Sequence, residues 1–227
     1  MFRLTQDGEV ARLALDRPEA RNAIPASGWA ELARLLGTIE ARLLVLSGEG
    51  GAFCAGADLA DFAAMHADAG ARFRQDMRAA LDTLAALPIP TVARIEGACY
   101  GAGVALAMAC DLRVAAAGAR FAITPAKIGI SYPQEDVRRL VALVGPGQAA
   151  RLLFTAAAID GAEALRIGLV DLDALDEGAI LANDSASLAV LKQGIASVGG
   201  DAALDARFDS LLGGEEMARR LEALRRK

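Results

Sequence analysis

Apolar and polar residues alternate at the start of the chain, in "FRLTQ" and again in "VARLALDR", with Asp7 and Gly8 between the two runs. Alternation on both sides of a dipeptide that tolerates positive φ predicts a β-hairpin. The period then lengthens. In "RNAIPASGWAELARLLGTI", Trp29, Leu32, Leu35 and Leu36 fall on one side of a helix, and Ser27 stands where an N-cap is expected. "ARLLVLSGEG" is a continuous apolar run stopped by Ser and Gly, the pattern of a strand buried on both faces in a parallel sheet. A helical stretch over about residues 70–87 ends at Pro88 and Pro90. "TVARIEG" predicts the next strand and "DLRVAAAGARFAI" two short ones, and beyond Pro133 the pattern is helical to the closing "EEMARRLEALRRK". A strand, a glycine loop, a helix and a strand thus follow one another twice, over residues 43–62 and 91–114. The class expected is an α/β core with a helical C-terminal region.

Composition narrows the function classes. The 227 residues are 54% hydrophobic and 23% charged with a net charge of −5, so no overall positive field attracts nucleic acid or an anionic membrane. Cys54, Cys99 and Cys110 form no CxxC pair and lie among small apolar residues, which suggests reduced thiols packed as small hydrophobes. With one histidine, His66, expected at the surface, no metal site is predicted. The first residues carry charges every few positions and no apolar core of a signal peptide, and residues 98–110 are too short and glycine-broken to span a bilayer. The expectation is a cytoplasmic protein without a membrane partner.

The chemistry concentrates in two loops, "SGEGGAFCAGADLADF" and "EGACYGAGVALAMACD". In each, a strand enters glycines and small residues before a helix, an arrangement that leaves backbone N–H groups unshielded. Two such loops aimed at one point would supply a pair of donors for a developing oxyanion. A phosphate loop does not fit: no Lys-Ser/Thr follows either run, and Leu106 stands where a dinucleotide fingerprint has its last small residue. The same glycines would also permit close strand–helix packing. Asp58 is expected to cap the helix it begins, and Asp111 to fix the end of its strand.

"LDRPEARNAI", "GEGGAFCAGADLADF" and "EGACYGAGVALAMACDLRVAAAGARFAI", in this order and continuing to "GLV" at residues 168–170, resemble the enoyl-CoA hydratase/isomerase family, the crotonase superfamily. The resemblance covers about residues 2–170 and implies a spiral of ββα units with two nearly perpendicular sheets surrounded by helices. It divides the chain into a crotonase-like core, residues 1–170, and a short helical region, residues 171–227, for assembly and cover. It implies an acyl-CoA thioester substrate, CoA arriving with the substrate and no separate cofactor, and a homo-oligomer, a trimer or dimer of trimers. By position, the amides of Ala57 and Ala102 would hold the thioester oxygen. Ala55, Gly56, Asp58, Leu59, Tyr100 and Gly101 would line the thioester and CoA site, and Arg17 and Arg21 would meet the nucleotide end. Residues 59–74 would line the acyl pocket.

The chain departs from the family pattern where hydratases carry two glutamates: Ala105 and Pro125 occupy those places, and neither can move a proton. Ala60 replaces a lysine common after the first loop, and the segment after "GLV" is shorter than usual. "TPAKIGISY" resembles the loop of the methylmalonyl-CoA decarboxylase branch, in which a tyrosine at the place of Tyr132 lies near the substrate carboxylate, although that branch has a histidine where this chain has Ala57. Decarboxylation needs an oxyanion hole and no base. Tyr132 would otherwise be a core ring with a satisfied hydroxyl. Glu135 is a candidate replacement acid, with Asp136, near Pro133; both residues equally suit the N-terminal turn of a helix. A non-catalytic acyl-CoA-binding role is the remaining alternative.

Overall fold

The computed structural model describes residues 1–63, 66–197 and 199–225. The predicted hairpin is present: β1 (Phe2–Asp7) and β2 (Val10–Leu15) pair antiparallel with Asp7 opposite Val10, and Gly8 takes φ 58° in the turn. Helix α1 (Ala26–Leu36) buries Trp29, Leu32 and Leu36 as the spacing demands. Its N-cap is Pro25, so Ser27 falls inside the first turn. The ring's fixed φ and missing N–H start the helix two residues earlier than the hydroxyl suggested.

Strand β3 (Leu43–Gly48) lies parallel to β2. A short α2 (Leu59–Ala63) precedes α3 (Ala67–Ala86), which begins before the predicted residue 70 because His66 caps it, Nδ1 accepting from the Ala69 N–H at 3.3 Å. Strand β4 (Thr91–Ile95) follows, then β5 (Ala98–Tyr100), α4 (Ala102–Met108), β6 (Leu112–Ala115) and β7 (Arg120–Ala122). Helix α5 (Gln134–Thr155) is broken at Gly145, φ 73°, just before Pro146. A two-residue strand β8 (Ile159–Asp160) interrupts the predicted helical run, and α6 (Gly161–Arg166), α7 (Glu177–Leu181), α8 (Ser185–Ala196), α9 (Ala202–Leu211) and α10 (Glu215–Arg225) complete the chain. Among the described residues no helix is long and apolar enough to cross a membrane.

The strands form two sheets, β1-β2-β3-β4-β6 and β5-β7-β8. In the larger sheet, β2, β3, β4 and β6 run parallel, and both its faces are covered. Ala11, Leu13, Leu44, Leu46, Ala93 and Ile95 enter the main core with Trp29, Leu81 and Leu106. Val10, Leu43, Val45, Val92 and Val114 form a second layer under Leu172, Leu175, Ile180 and Leu181. Alternate residues of β3 therefore serve opposite cores, which is why its sequence reads as unbroken apolar. Each fully buried leucine or phenylalanine contributes about 1.5–3 kcal/mol.

Polar clamps tie the strand ends. Asp111 Oδ2 accepts from Thr91 N–H and Oγ1–H at 2.7 and 2.9 Å, the Thr91 hydroxyl accepts from the Asp111 N–H, and Lys192 Nζ lies 2.8 Å away. Asp111 thus fixes the start of β6 to that of β4. The Arg113 guanidinium, 5% exposed, pairs with Asp171 at 2.6 Å and donates to the Cys110 carbonyl. These contacts, with a bridge between Val114 and Leu172, anchor the chain beyond residue 170 to the large sheet.

Candidate functional site

The two glycine loops lie side by side because the first runs along β5. Phe53 N–H donates to Glu96 O at 2.7 Å, Cys54 N–H to Ala98 O at 2.9 Å, and Tyr100 N–H to Cys54 O at 2.8 Å. At two places the backbones are too close for any side chain. A methyl on Gly103 would lie 2.4 Å from the Cys54 carbonyl oxygen. A methyl on Gly56, whose φ is 107°, would lie 2.9 Å from Tyr100 O and 3.5 Å from Ala102 N. The glycines therefore do permit close packing, and that packing brings Gly56 and Ala57 against Gly101 and Ala102.

Gly56, Ala57, Gly101 and Ala102 line one wall of a cavity of about 710 Å³. Among the described residues, neither the Ala57 N–H nor the Ala102 N–H meets an acceptor. Among the described residues, the non-glycine positions at positive φ are Arg21, Asn22 and Ala156, so the methyl groups of Ala57 and Ala102 impose no backbone strain there. Both carbonyls of these peptide units are engaged from behind: Gly56 O accepts from Ile24 N–H at 2.8 Å and Gly101 O from the Tyr132 hydroxyl at 3.0 Å.

The remaining wall is largely apolar. Phe62 and Phe73 meet edge to face at 5.3 Å, and Phe73 continues to Trp29 at 6.5 Å. Leu59, 62% exposed, stands at the mouth with Ile128. Ala55, Ala105, Pro125 and Tyr132 line the cavity, and no Asp or Glu does so among the described residues. Of residues 59–74, Leu59, Phe62, Ala63, Gly70 and Phe73 line the cavity, and Ala64 and Met65 lie outside the described residues. His66 and Arg74 also reach the cavity. His66 is exposed, as the sequence suggested, yet its position on the lip was missed. The signal available was its place just ahead of the amphipathic α3.

The other expected site residues are distributed unevenly. Tyr100 is half-buried and off the cavity wall. Arg17 is turned inward: Nη1 pairs with Asp58 Oδ2 at 2.5 Å and donates to Ala23 O at 3.2 Å. Asp58 also accepts from the Ala60 N–H at 3.0 Å, which caps α2, and the Arg17 guanidinium holds its carboxyl below the usual aspartate range. The pair braces the backbone next to Ala57. Arg21 is exposed, and its guanidinium has no partner among the described residues. Its carbonyl accepts from the Ala55 N–H at 2.9 Å.

Glu135 does not reach the cavity. It is exposed on the first turn of α5, where the helix directs it to solvent. Asp136 is fully buried, but its Oδ1 meets Arg78 Nη1 at 3.0 Å, away from the cavity, and burial raises its pKa. The Tyr132 ring lines the cavity and is 8% exposed, with burial holding its hydroxyl well above the ordinary tyrosine pKa. Its hydroxyl proton is directed at the Gly101 carbonyl rather than into the cavity. The three thiols are buried, and burial raises Cys54 and Cys110 to about 12.

Sequence reasoning overlooked Asn22. Fully buried at φ 59°, it donates through Nδ2 to Glu49 O at 2.8 Å and Ala52 O at 2.7 Å, and accepts from the Arg17 N–H at 2.9 Å. It fastens the "RPEARN" turn to the first glycine loop. An asparagine following a Pro-initiated turn carried that signal, since Asn tolerates the left-handed region and bonds nearby backbone.

The sequence profile described as enoyl-CoA hydratase/isomerase matches residues 5–184. A probable enoyl-CoA hydratase of Mycobacterium tuberculosis is 39% identical over 176 residues, 75% of this chain and 70% of that protein. The short-chain-enoyl-CoA hydratase of Clostridium acetobutylicum is 36% identical over 173 residues, 74% of this chain and 66% of that protein. A solved structure of a putative enoyl-CoA hydratase/isomerase family protein from Hyphomonas neptunium superposes with a TM-score of 0.91 at 34% identity, covering 98% of this chain and 94% of that one.

Proposed function

Because the chain belongs to the enoyl-CoA hydratase/isomerase family, we propose that it binds an acyl-CoA thioester with the carbonyl oxygen between the N–H groups of Ala57 and Ala102, and stabilises the enolate formed there. The support is the convergence of two amides without acceptors on the wall of a largely apolar cavity. Donors fixed in advance, in a site poor in water, stabilise developing oxygen charge without reorganising. Acyl groups fit against Phe62 and Phe73, and Arg21 is free to meet phosphate at the nucleotide end.

The reaction follows from the acids that the wall lacks. With Ala105 and Pro125 on the wall and Glu135 outside it, two-carboxylate hydration finds no carboxylate on the cavity wall among the described residues. Decarboxylation of a malonyl-type thioester needs none. The bond from Cα to the carboxylate breaks, its electron pair moves into the enolate, and carbon dioxide leaves. The enolate oxygen rests on the two N–H groups, and solvent later protonates Cα. Tyr132 would serve this step through the loop it holds, since its own proton is on Gly101 O. The same fold would suit a protein that binds acyl-CoA without turning it over. Strongly exposed Phe154 and Ile195, at 83% and 86%, support self-association as a homo-oligomer.

Mass spectrometry after incubation with crotonyl-, a longer 2-enoyl-, a 3-enoyl- and methylmalonyl-CoA tests this reading, with the 3-enoyl sample chromatographed for isomerisation. Loss of carbon dioxide from methylmalonyl-CoA is the expected result. Gain of water would refute the base-free assignment, and an unchanged panel would leave the binding role.

A further inference from the structure

We propose that Tyr132 is the positioning residue of the Ala102 amide, setting the direction and the donor strength of that N–H through the carbonyl of the same peptide unit. The inference rests on the thioester site proposed above. A peptide group is planar, and its C=O and N–H point in opposite directions, so whatever holds the Gly101 oxygen also aims the Ala102 hydrogen. The Tyr132 hydroxyl donates to that oxygen at 3.0 Å.

Gly101 O also accepts from the Val104 and Ala105 N–H groups, at 3.0 and 3.3 Å. Those two donors belong to α4 and move with it. Tyr132 comes from the segment leading into α5, so its bond ties the peptide to a different part of the fold. The opposite amide has a matching arrangement, with Gly56 O accepting from Ile24 N–H at 2.8 Å, again from a separate segment. One support is therefore main chain and the other is a side chain, and the second can be deleted by a substitution that leaves the main chain intact.

The environment makes the support stiff. The ring is 8% exposed, lines the same cavity as Ala102 and Ala105, and burial keeps the phenol protonated. The Ala105 N–H also faces the Tyr132 hydroxyl oxygen, and its methyl side chain leaves room for the ring to approach the turn. A hydrogen bond onto a peptide oxygen also polarises the unit and makes its N–H a better donor. Tyr132 therefore acts on the thioester oxygen through the peptide that its hydroxyl holds.

The test is the infrared band of a 13C-labelled acetyl-CoA thioester carbonyl, bound to the wild-type protein and to Tyr132→Phe, with acetyl-CoA affinity measured in parallel. The wild-type protein should lower the carbonyl frequency relative to free acetyl-CoA. In Tyr132→Phe this shift should fall by half or more while affinity changes less than twofold, and kcat on a thioester that the acyl-CoA panel shows to be turned over should drop about tenfold with KM held within twofold. Placing 3-fluorotyrosine at position 132, a stronger donor that keeps the ring, should enlarge the shift and serves if the phenylalanine variant does not fold. A full wild-type shift in Tyr132→Phe, or no response to the fluorinated residue, overturns the role of Tyr132 alone. No shift in the wild-type protein overturns the thioester site itself, and this inference with it.

Discussion

Substituting alanine for Gly103 converts the spacing of the two amides into a measurable rate. The added methyl would stand 2.4 Å from Cys54 O, 2.9 Å from Cys54 Cβ and 3.2 Å from Cys54 C. Ordinary contact begins near 3.4 Å, and both main-chain partners are rigid, so α4 must withdraw by about 1 Å. Ala102 precedes Gly103 and withdraws with it, whereas Ala57 stays on the Cys54 segment. A donor placed about 2.9 Å from the thioester oxygen then sits near 3.9 Å, beyond hydrogen-bonding distance. Losing one such donor lowers kcat by about 10²–10³-fold. The overpacking itself should cost about 1–3 kcal/mol of stability, and at this size each kcal/mol lowers Tm by about 2–4 °C. The assay is kcat and KM on the thioester substrate, with circular dichroism and thermal unfolding on the same sample. Gly118→Ala is the control, because its methyl would meet nothing within 4 Å and it should leave kcat and Tm unchanged. A folded Gly103→Ala protein with kcat within twofold of wild type would refute the reasoning.

Ala102→Pro deletes the N–H at the first position of α4, where proline is tolerated; helix content should persist while kcat falls at least 100-fold, and retained turnover would show that this amide is not used. Cys54, Cys99 and Cys110 should resist iodoacetamide at pH 8 in the native protein and all react in urea, because burial keeps the thiols protonated, Cys54 and Cys110 to about 12; native alkylation seen by mass spectrometry would contradict their burial. Asp58 has a folded pKa below its ordinary 3.8 because of its hydrogen bond with Arg17. Its contribution is present above about pH 4 and lost as pH falls through the depressed value. Asp58→Asn should therefore lower stability at pH 7 by about 0.5–1 kcal/mol and flatten the loss below pH 4 in urea titrations.

Much of this was legible in the sequence because the elements obey local rules. The Asp7-Gly8 hairpin, the buried β3 and the helix carrying Trp29, Leu32 and Leu36 all follow from period and turn chemistry. The close approach of the two glycine loops was legible as well, since their residues have little or no side chain to hold the backbones apart. What stayed hidden depends on which long-range partner a side chain finds. Arginine suits phosphate or carboxylate equally, and only the fold shows that Arg17 is turned to Asp58 while Arg21 is not. Glu135 and Asp136 are adjacent in sequence, yet the pitch of α5 exposes one and buries the other against Arg78. The bond from Tyr132 to Gly101 joins residues 31 apart and no local pattern encodes it.

A crystal structure of the protein with acetyl-CoA decides the matter. The thioester oxygen should lie about 2.7–3.1 Å from both Ala57 N and Ala102 N, with the acyl group directed toward Phe62 and Phe73 in the 710 Å³ cavity. A thioester bound with its oxygen away from both nitrogens, or CoA bound with its acyl end outside this cavity, would contradict it.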